Sequence, residues 1–317
     1  MPASDSSARA IRLLTVAAAI VMALAYFSPI WWVSLTAPNY PKDAFPDGIR
    51  IHFHFNGVFN GCAGTVVKKS DVYQGDLGEE QEKRMRSAAT QTQQLDCVHE
   101  MNTINHYVGM YPIEVGAPVE RNLARYFFGF FAVLLLAFLF EARRNQIRAL
   151  AAGFLLLLAW MAGEQFLLGQ LAQSIASYRA AAGTFFNEPA IIERWAGNLR
   201  LANLIALGGL AALMAFVLAG VALSRRFSLL LALVPALLPV FFVIDYAGWL
   251  WFFGHNLHPW GAFTVKPFMP TVFGEGKVAQ FSTYSYPYYG FALLLFVMFT
   301  LLPAVLLRRK QLRDEES

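Results

Sequence analysis

His52, His54, His99 and His106 share one polar stretch with the chain's two cysteines, Cys62 and Cys97, and the remaining histidines, His255 and His258, lie in a second. Imidazole, thiolate and thioether donors suit copper(I), whereas hard cations such as calcium take carboxylates and carbonyls. The donors are densest in Asp96-Cys97-Val98-His99-Glu100-Met101-Asn102-Thr103-Ile104-Asn105-His106-Tyr107-Val108-Gly109-Met110. If the start of this segment is extended, Cys97, His99 and Met101 project from one face. If its second half is helical, His106 and Met110 stack one turn apart. The plainer account is that Met101 and Met110 pack, the histidines hydrogen-bond locally, and Asn102 and Asn105 cap or turn the chain. His255 and His258 stand three residues apart beside Pro259 and Trp260, where they could share a ligand or sit as interfacial residues of a tryptophan belt.

Cys62 and Cys97 bracket a polar, charge-dense insertion, residues 68–94. In an oxidising compartment such a pair forms a disulfide pinning the base of the flap, and the alternative is a thiolate pair open to a soft metal. Upstream, Ile49-Arg50-Ile51-His52-Phe53-His54-Phe55 alternates as a half-buried strand does. Its isoleucines and phenylalanines face one way, and Arg50, His52 and His54 the other. Asn56-Gly57 and Asn60-Gly61 supply turn signals.

These segments need supports, and the supports are membrane spans. Of 317 residues 57% are hydrophobic and only 15% charged, against about a quarter charged in soluble domains. The excess is gathered into runs long enough to cross about 30 Å of hydrocarbon. Six are expected, at residues 11–33, 126–140, 149–171, 199–223, 227–251 and 288–307. Arg9 and Arg12, then Arg143, Arg144 and Arg148, then Arg225 and Arg226, then Arg308, Arg309 and Lys310 all fall on one side, which the positive-inside rule assigns to the cytoplasm. The first run is too long for a signal h-region and lacks a small-residue cleavage pattern, so it reads as a retained anchor. The expected fold is an all-α integral membrane protein of a bacterial inner membrane. It has about six transmembrane helices, both termini cytoplasmic, and a small mixed α/β periplasmic domain between the first two. Residues 1–33 are the anchor, 34–122 the outer domain, 123–310 a five-helix bundle with outer loops 174–198 and 252–287, and 311–317 a cytoplasmic tail.

Two carboxylates lie within the expected spans, Glu164 and Asp245. A carboxylate in hydrocarbon costs several kcal/mol unless it meets a partner or a water cavity, so both are candidates for function. Pairing with Arg179 or Arg200 would be a structural account of them. Pro235 and Pro239 should bend the helix that carries Asp245. The basic residues flank spans and read as topology signals, with no nucleic-acid footprint. No P-loop, nucleotide fingerprint, triad or Cys-x-x-Cys-His motif is present, and no histidine lies within a span to ligate haem b.

Three segments carry a likeness. Pro29-Ile30-Trp31-Trp32-Val33-Ser34-Leu35-Thr36-Ala37-Pro38-Asn39-Tyr40-Pro41, Ile104-Asn105-His106-Tyr107-Val108-Gly109-Met110, and Lys266-Pro267-Phe268-Met269-Pro270 continuing to Phe273-Gly274 resemble a family of polytopic bacterial membrane proteins. The genes of that family accompany those for nitrous-oxide-reductase maturation and periplasmic copper delivery. The resemblance implies copper supply or respiratory assembly, brings no enzymatic activity, and points to His106 and Met110. The Cys-bracketed insertion departs from the family's shorter members. The leading expectation is therefore an inner-membrane accessory protein that binds or presents copper on its periplasmic face for a cuproenzyme. His106, Met110, His99 and Met101 would be primary ligands and His52, His54, His255 or His258 completing ones. An accessory subunit of a membrane oxidoreductase complex, docking other membrane or periplasmic proteins, is the alternative. A metal or small-ion permease using Asp245 and Glu164 is the third.

Overall fold

The computed structural model describes residues 3–38, 40, 42, 45–62, 95–185, 188–259, 261, 262, 265–278 and 280–316. The insertion at 68–94 lies outside them. Five helices are long and apolar enough to cross a membrane, and a sixth passes the same test as a pair bent by 55°, so the chain is a multi-pass membrane protein.

The first crossing, α1 (Ala3–Tyr26), stops about two turns before the sequence pattern suggests. Pro29 cannot continue a helix, and Ser28 closes the last turn by donating to the Leu24 carbonyl at 2.8 Å. Trp31–Thr36, expected in part as helix, is instead strand β1, as its aromatic and β-branched content favours. Strands β2 (Ile49–His54) and β3 (Gly57–Asn60) follow. Next come the short helix α2 (Cys97–Tyr107) and the second crossing, α3 (Pro118–Phe138). The third crossing is α4 (Arg143–Ala162), continued by a π-helical turn (Gly163–Leu167). The stretch expected as an outer loop at 174–198 is helical at 174–185 and 189–198. It comprises most of α5 (Gln170–Phe185) and the start of α6 (Pro189–Leu223), a helix of 35 residues, about 50 Å at 1.5 Å per residue and longer than the hydrocarbon needs. The bent pair is Arg225–Ala236, a 3-10 turn (Arg225–Leu229) running into α7 (Leu230–Ala236), and α8 (Leu238–His255), broken where Pro239 opens the second helix. Strands β4 (Gly274–Val278) and β5 (Phe281–Pro287) lead into α9 (Tyr289–Glu316).

The strands form one antiparallel sheet in the order β3-β2-β1-β5-β4. Its centre pairs the stretch after α1 with the stretch before α9, Trp32 opposite Tyr286 and Ser34 opposite Tyr284. The sheet caps the bundle and draws on both stretches, where residues 34–122 alone were expected to form the outer domain. One face, with Leu35, Ile49, Ile51 and Phe281, buries against Cys97, Met101 and Ile104 of α2. Ser285, fully buried, ties cap to bundle. Its hydroxyl accepts from the Trp31 indole (2.9 Å), donates to the Val272 carbonyl (2.8 Å) and lies 3.2 Å from the Tyr246 hydroxyl of α8. The arginine clusters gather at the other end of the bundle. There Arg12 meets Glu141 at 3.0 Å, Arg225 meets Glu315 at 2.9 Å, and Arg308 donates to the Phe138 carbonyl at 2.9 Å.

Candidate functional site

Helix α2 is the element on which the donor-rich segment rests. Asp96 caps it by accepting from the backbone amides of Val98 and His99, both at 3.1 Å. Cys97 is bonded to Cys62 in a disulfide, and Asn60 clamps both ends of that bridge. Its carbonyl oxygen accepts from the amides of Cys62 (3.1 Å) and Cys97 (3.2 Å), and its amide donates to the Leu95 carbonyl (2.6 Å). Asn60 thus does more than mark a turn.

The two geometries proposed for the donors both give way here. The segment from Cys97 is helical, so His99 is exposed while Cys97 and Met101 are buried on the opposite side. The helix then ends at Tyr107, so Met110 lies beyond it and does not stack on His106. Gly109, with φ of +80°, turns the chain into the left-handed region that glycine adopts without strain. Asn102 and Asn105 brace the returning chain, one accepting from the Glu114 amide at 3.3 Å, the other donating to the Tyr111 carbonyl at 3.3 Å.

The segment Asn105-His106-Tyr107-Val108-Gly109-Met110 is a seat for the loop after α8. The His258 amide donates to the Gly109 carbonyl at 2.7 Å, and the His258 ring nitrogen Nε2 lies 2.6 Å from the Tyr111 hydroxyl. Burial, opposed by Glu188 and assisted by Arg194, holds His258 below the ordinary histidine value, and burial keeps the Tyr111 phenol protonated well above its own. The neutral imidazole and the protonated phenol share one hydrogen bond, whose donor is set by the imidazole tautomer.

The remaining donors are scattered. Met101 and Met110 line one small cavity of about 100 Å³ in the cap, together with Asn105, Phe268 and Phe281. His52 and His54 lie on the outward face of β2. His52 stacks on Tyr288 at 5.1 Å, and His54 meets the edge of Phe59 at 4.6 Å. Burial first, then Arg50, depresses His52, and burial, then His52, depresses His54. His255 is exposed, stacks on Trp251 and bonds its carbonyl at 2.8 Å. Among the described residues no three His, Cys, Asp or Glu side chains converge as a metal site.

The carboxylates carry more structure. Glu164 pairs with Arg125, in place of the Arg179 or Arg200 anticipated, and accepts from the Tyr126 hydroxyl at 2.8 Å. Arg179 pairs with Glu193. Gln165, in the π-helical turn, donates to the same Tyr126 oxygen at 3.1 Å and to Asn122 at 3.3 Å. Asn122 in turn donates to Asn203 at 2.9 Å and accepts from Ser174 at 3.0 Å. This buried network joins α3, α4, α5 and α6 with its members' polar groups satisfied, a pattern that specifies helix register.

Asp245 faces Glu120, with the Trp249 indole beside Glu120. Glu120 is absent from the sequence-derived candidates because the second span was expected only from residue 126. Pro118 at the first helical position was the available signal, since a helix opening there brings Glu120 into its first turn. One oxygen of Glu120 is buried without a hydrogen-bond partner. The pair lies on the wall between two apolar cavities of about 470 and 440 Å³, which share Glu120, Asp245, Trp249 and Phe253. The first is otherwise lined by Tyr111, Tyr178, Trp195 and Asn198, and the second runs between Phe127, Phe131 and Phe241.

Known protein families, characterised proteins and solved structures offer no match to this chain.

Proposed function

We propose that this protein is a membrane-embedded, non-enzymatic binding protein that holds an apolar or amphipathic molecule in the paired cavities beneath its cap. The observation that carries this reading is the Glu120–Asp245 pair on the wall between them. Large apolar cavities with a few convergent polar groups are the usual form of a small-molecule site. Two facing carboxyl groups in such surroundings call for a proton, a cation or a donor from a ligand between them. Gly248 lines the first cavity, and a side chain added there would meet nothing within 4 Å. Gly248→Leu should therefore fill the space without strain. A brominated fatty amine added to the detergent-purified chain should quench tryptophan fluorescence, and the quench should shrink in Gly248→Leu and Trp249→Phe. Equal quenching in all three proteins sinks the reading.

Copper presentation is the second reading, favoured by Met101 and Met110 facing one cavity of the cap. The positive-inside rule applied to the arginine-rich end supports a periplasmic cap in a bacterial inner membrane. With two thioethers and scattered histidines, a client protein would have to complete the coordination sphere. Metal analysis of the purified parent beside His106→Ala and Met110→Ala tests this, and a parent without stoichiometric copper ends it. The oxidoreductase-subunit alternative predicts partner polypeptides after gentle extraction. For a permease, Glu164 is committed to Arg125 and Tyr126, which leaves Asp245 and Glu120 as carboxylates lining the two apolar cavities of the bundle.

A further inference from the structure

The outward face of the sheet carries an open cleft of about 740 Å³, unlike the cavities of the bundle in being polar. Trp32, Arg50 and Lys42 line it together with the hydroxyl-bearing Thr36, Ser282 and Tyr284. The Arg50 guanidinium lies 4.3 Å from the Trp32 ring centroid and 5.5 Å from that of Tyr288. Stacking occupies a face of the planar group and leaves its N–H edge for a partner. Among the described residues no carboxylate pairs with it, and its Nε is buried without a hydrogen-bond partner. Asp47 also lines the cleft, from an exposed position.

The geometry points to an oxyanion site at Arg50, taking a phosphate group flat against the guanidinium fork, with Lys42 and the cleft hydroxyls as further donors. Two sources carry that chemistry, a phospholipid headgroup and a free phosphate. The Arg50 contact with Tyr288 favours the first. Tyr288 immediately precedes α9, and Phe27 and Tyr289, exposed by 76% and 55%, mark where α1 and α9 leave the apolar layer. His52 stacks on the same Tyr288 ring at 5.1 Å, which fixes that ring beside Arg50.

The full chain in nanodiscs of mixed phosphatidylglycerol and phosphatidylcholine, released for native mass spectrometry, should retain phosphatidylglycerol at least tenfold over phosphatidylcholine. Arg50→Gln should abolish the preference, and Arg50→Lys should leave it weakened because the fork is lost. Lys42→Glu, at an exposed position, should lower it without touching the fold. In detergent without lipid, millimolar inorganic phosphate should show phosphorus line broadening that Arg50→Gln removes if the free ion is the source. Retention of the Cys62–Cys97 bridge and of the thermal transition certifies each variant. Loss of either signal in the Arg50 and Lys42 variants supports the site and names its source. Lipid retention and line broadening both unchanged by Arg50→Gln and Lys42→Glu overturn it.

Discussion

Replacing Gly109 by alanine tests whether the donor-rich segment is a seat for the loop after α8. A Cβ at position 109 would stand 2.4 Å from the His258 carbonyl oxygen and 3.2 Å from its amide nitrogen, both backbone atoms that cannot swing aside. The backbone there has φ of +80°, which costs a residue with a side chain about 1–2 kcal/mol. Displacing the loop also stretches the 2.7 Å bond from the His258 amide, a net contribution of about 1 kcal/mol, and the Tyr111–His258 contact with it. Together these come to about 2–4 kcal/mol, or roughly thirty- to several-hundred-fold in the opening equilibrium of the loop. Hydrogen exchange read by mass spectrometry on peptides covering His258 should accelerate by that factor. Peptides of the α3–α6 network should not change. Gly208→Ala, which meets nothing within 4 Å on α6, is the control and should leave exchange at His258 untouched. Acceleration below threefold in Gly109→Ala would refute the argument that this glycine is required by close approach.

Reducing the Cys62–Cys97 bridge, whose ends are 35 residues apart, should cost about 4 kcal/mol on the loop-closure account. A Cys62→Ser/Cys97→Ser chain that unfolds at the parental temperature would contradict it. Glu164→Leu strands the Arg125 guanidinium in the bundle and should destabilise by about 3 kcal/mol, while Arg125→Leu/Glu164→Leu should cost less than the single change, as thermal unfolding in detergent would show. His258 titrates below its unfolded value of 6.5, so the folded chain binds fewer protons there. Its contribution is fully present above that pH and is lost as pH falls through the folded value, so the midpoint should drop below pH 6.5 and less so in His258→Gln. An unchanged pH dependence in that variant would remove His258 from the account.

Much of the framework was legible in the residues, because it depends on local sterics and on hydrophobic length. The long apolar runs mark the crossings, Pro239 marks the break between α7 and α8, and the Ile-Arg-Ile-His-Phe-His alternation marks β2 with its outward Arg50, His52 and His54. The positions of Met101 and Met110 were less legible. Helix and strand spacings gave rival groupings, and the capping of α2 by Asp96 chose a helix that ends before Met110.

Composition and periodicity determined that this chain crosses a membrane repeatedly and carries a polar assembly at one end, since both follow from the cost of exposing apolar surface and of burying charge. Only the tertiary structure decided which distant segments meet. It paired β1 with β5 across most of the chain, set Glu120 against Asp245 beside two cavities, and spent the Asn-His-Tyr-x-Gly-Met segment on holding His258. Those choices rest on shape and register between elements far apart in sequence, where no local preference of the residues reaches.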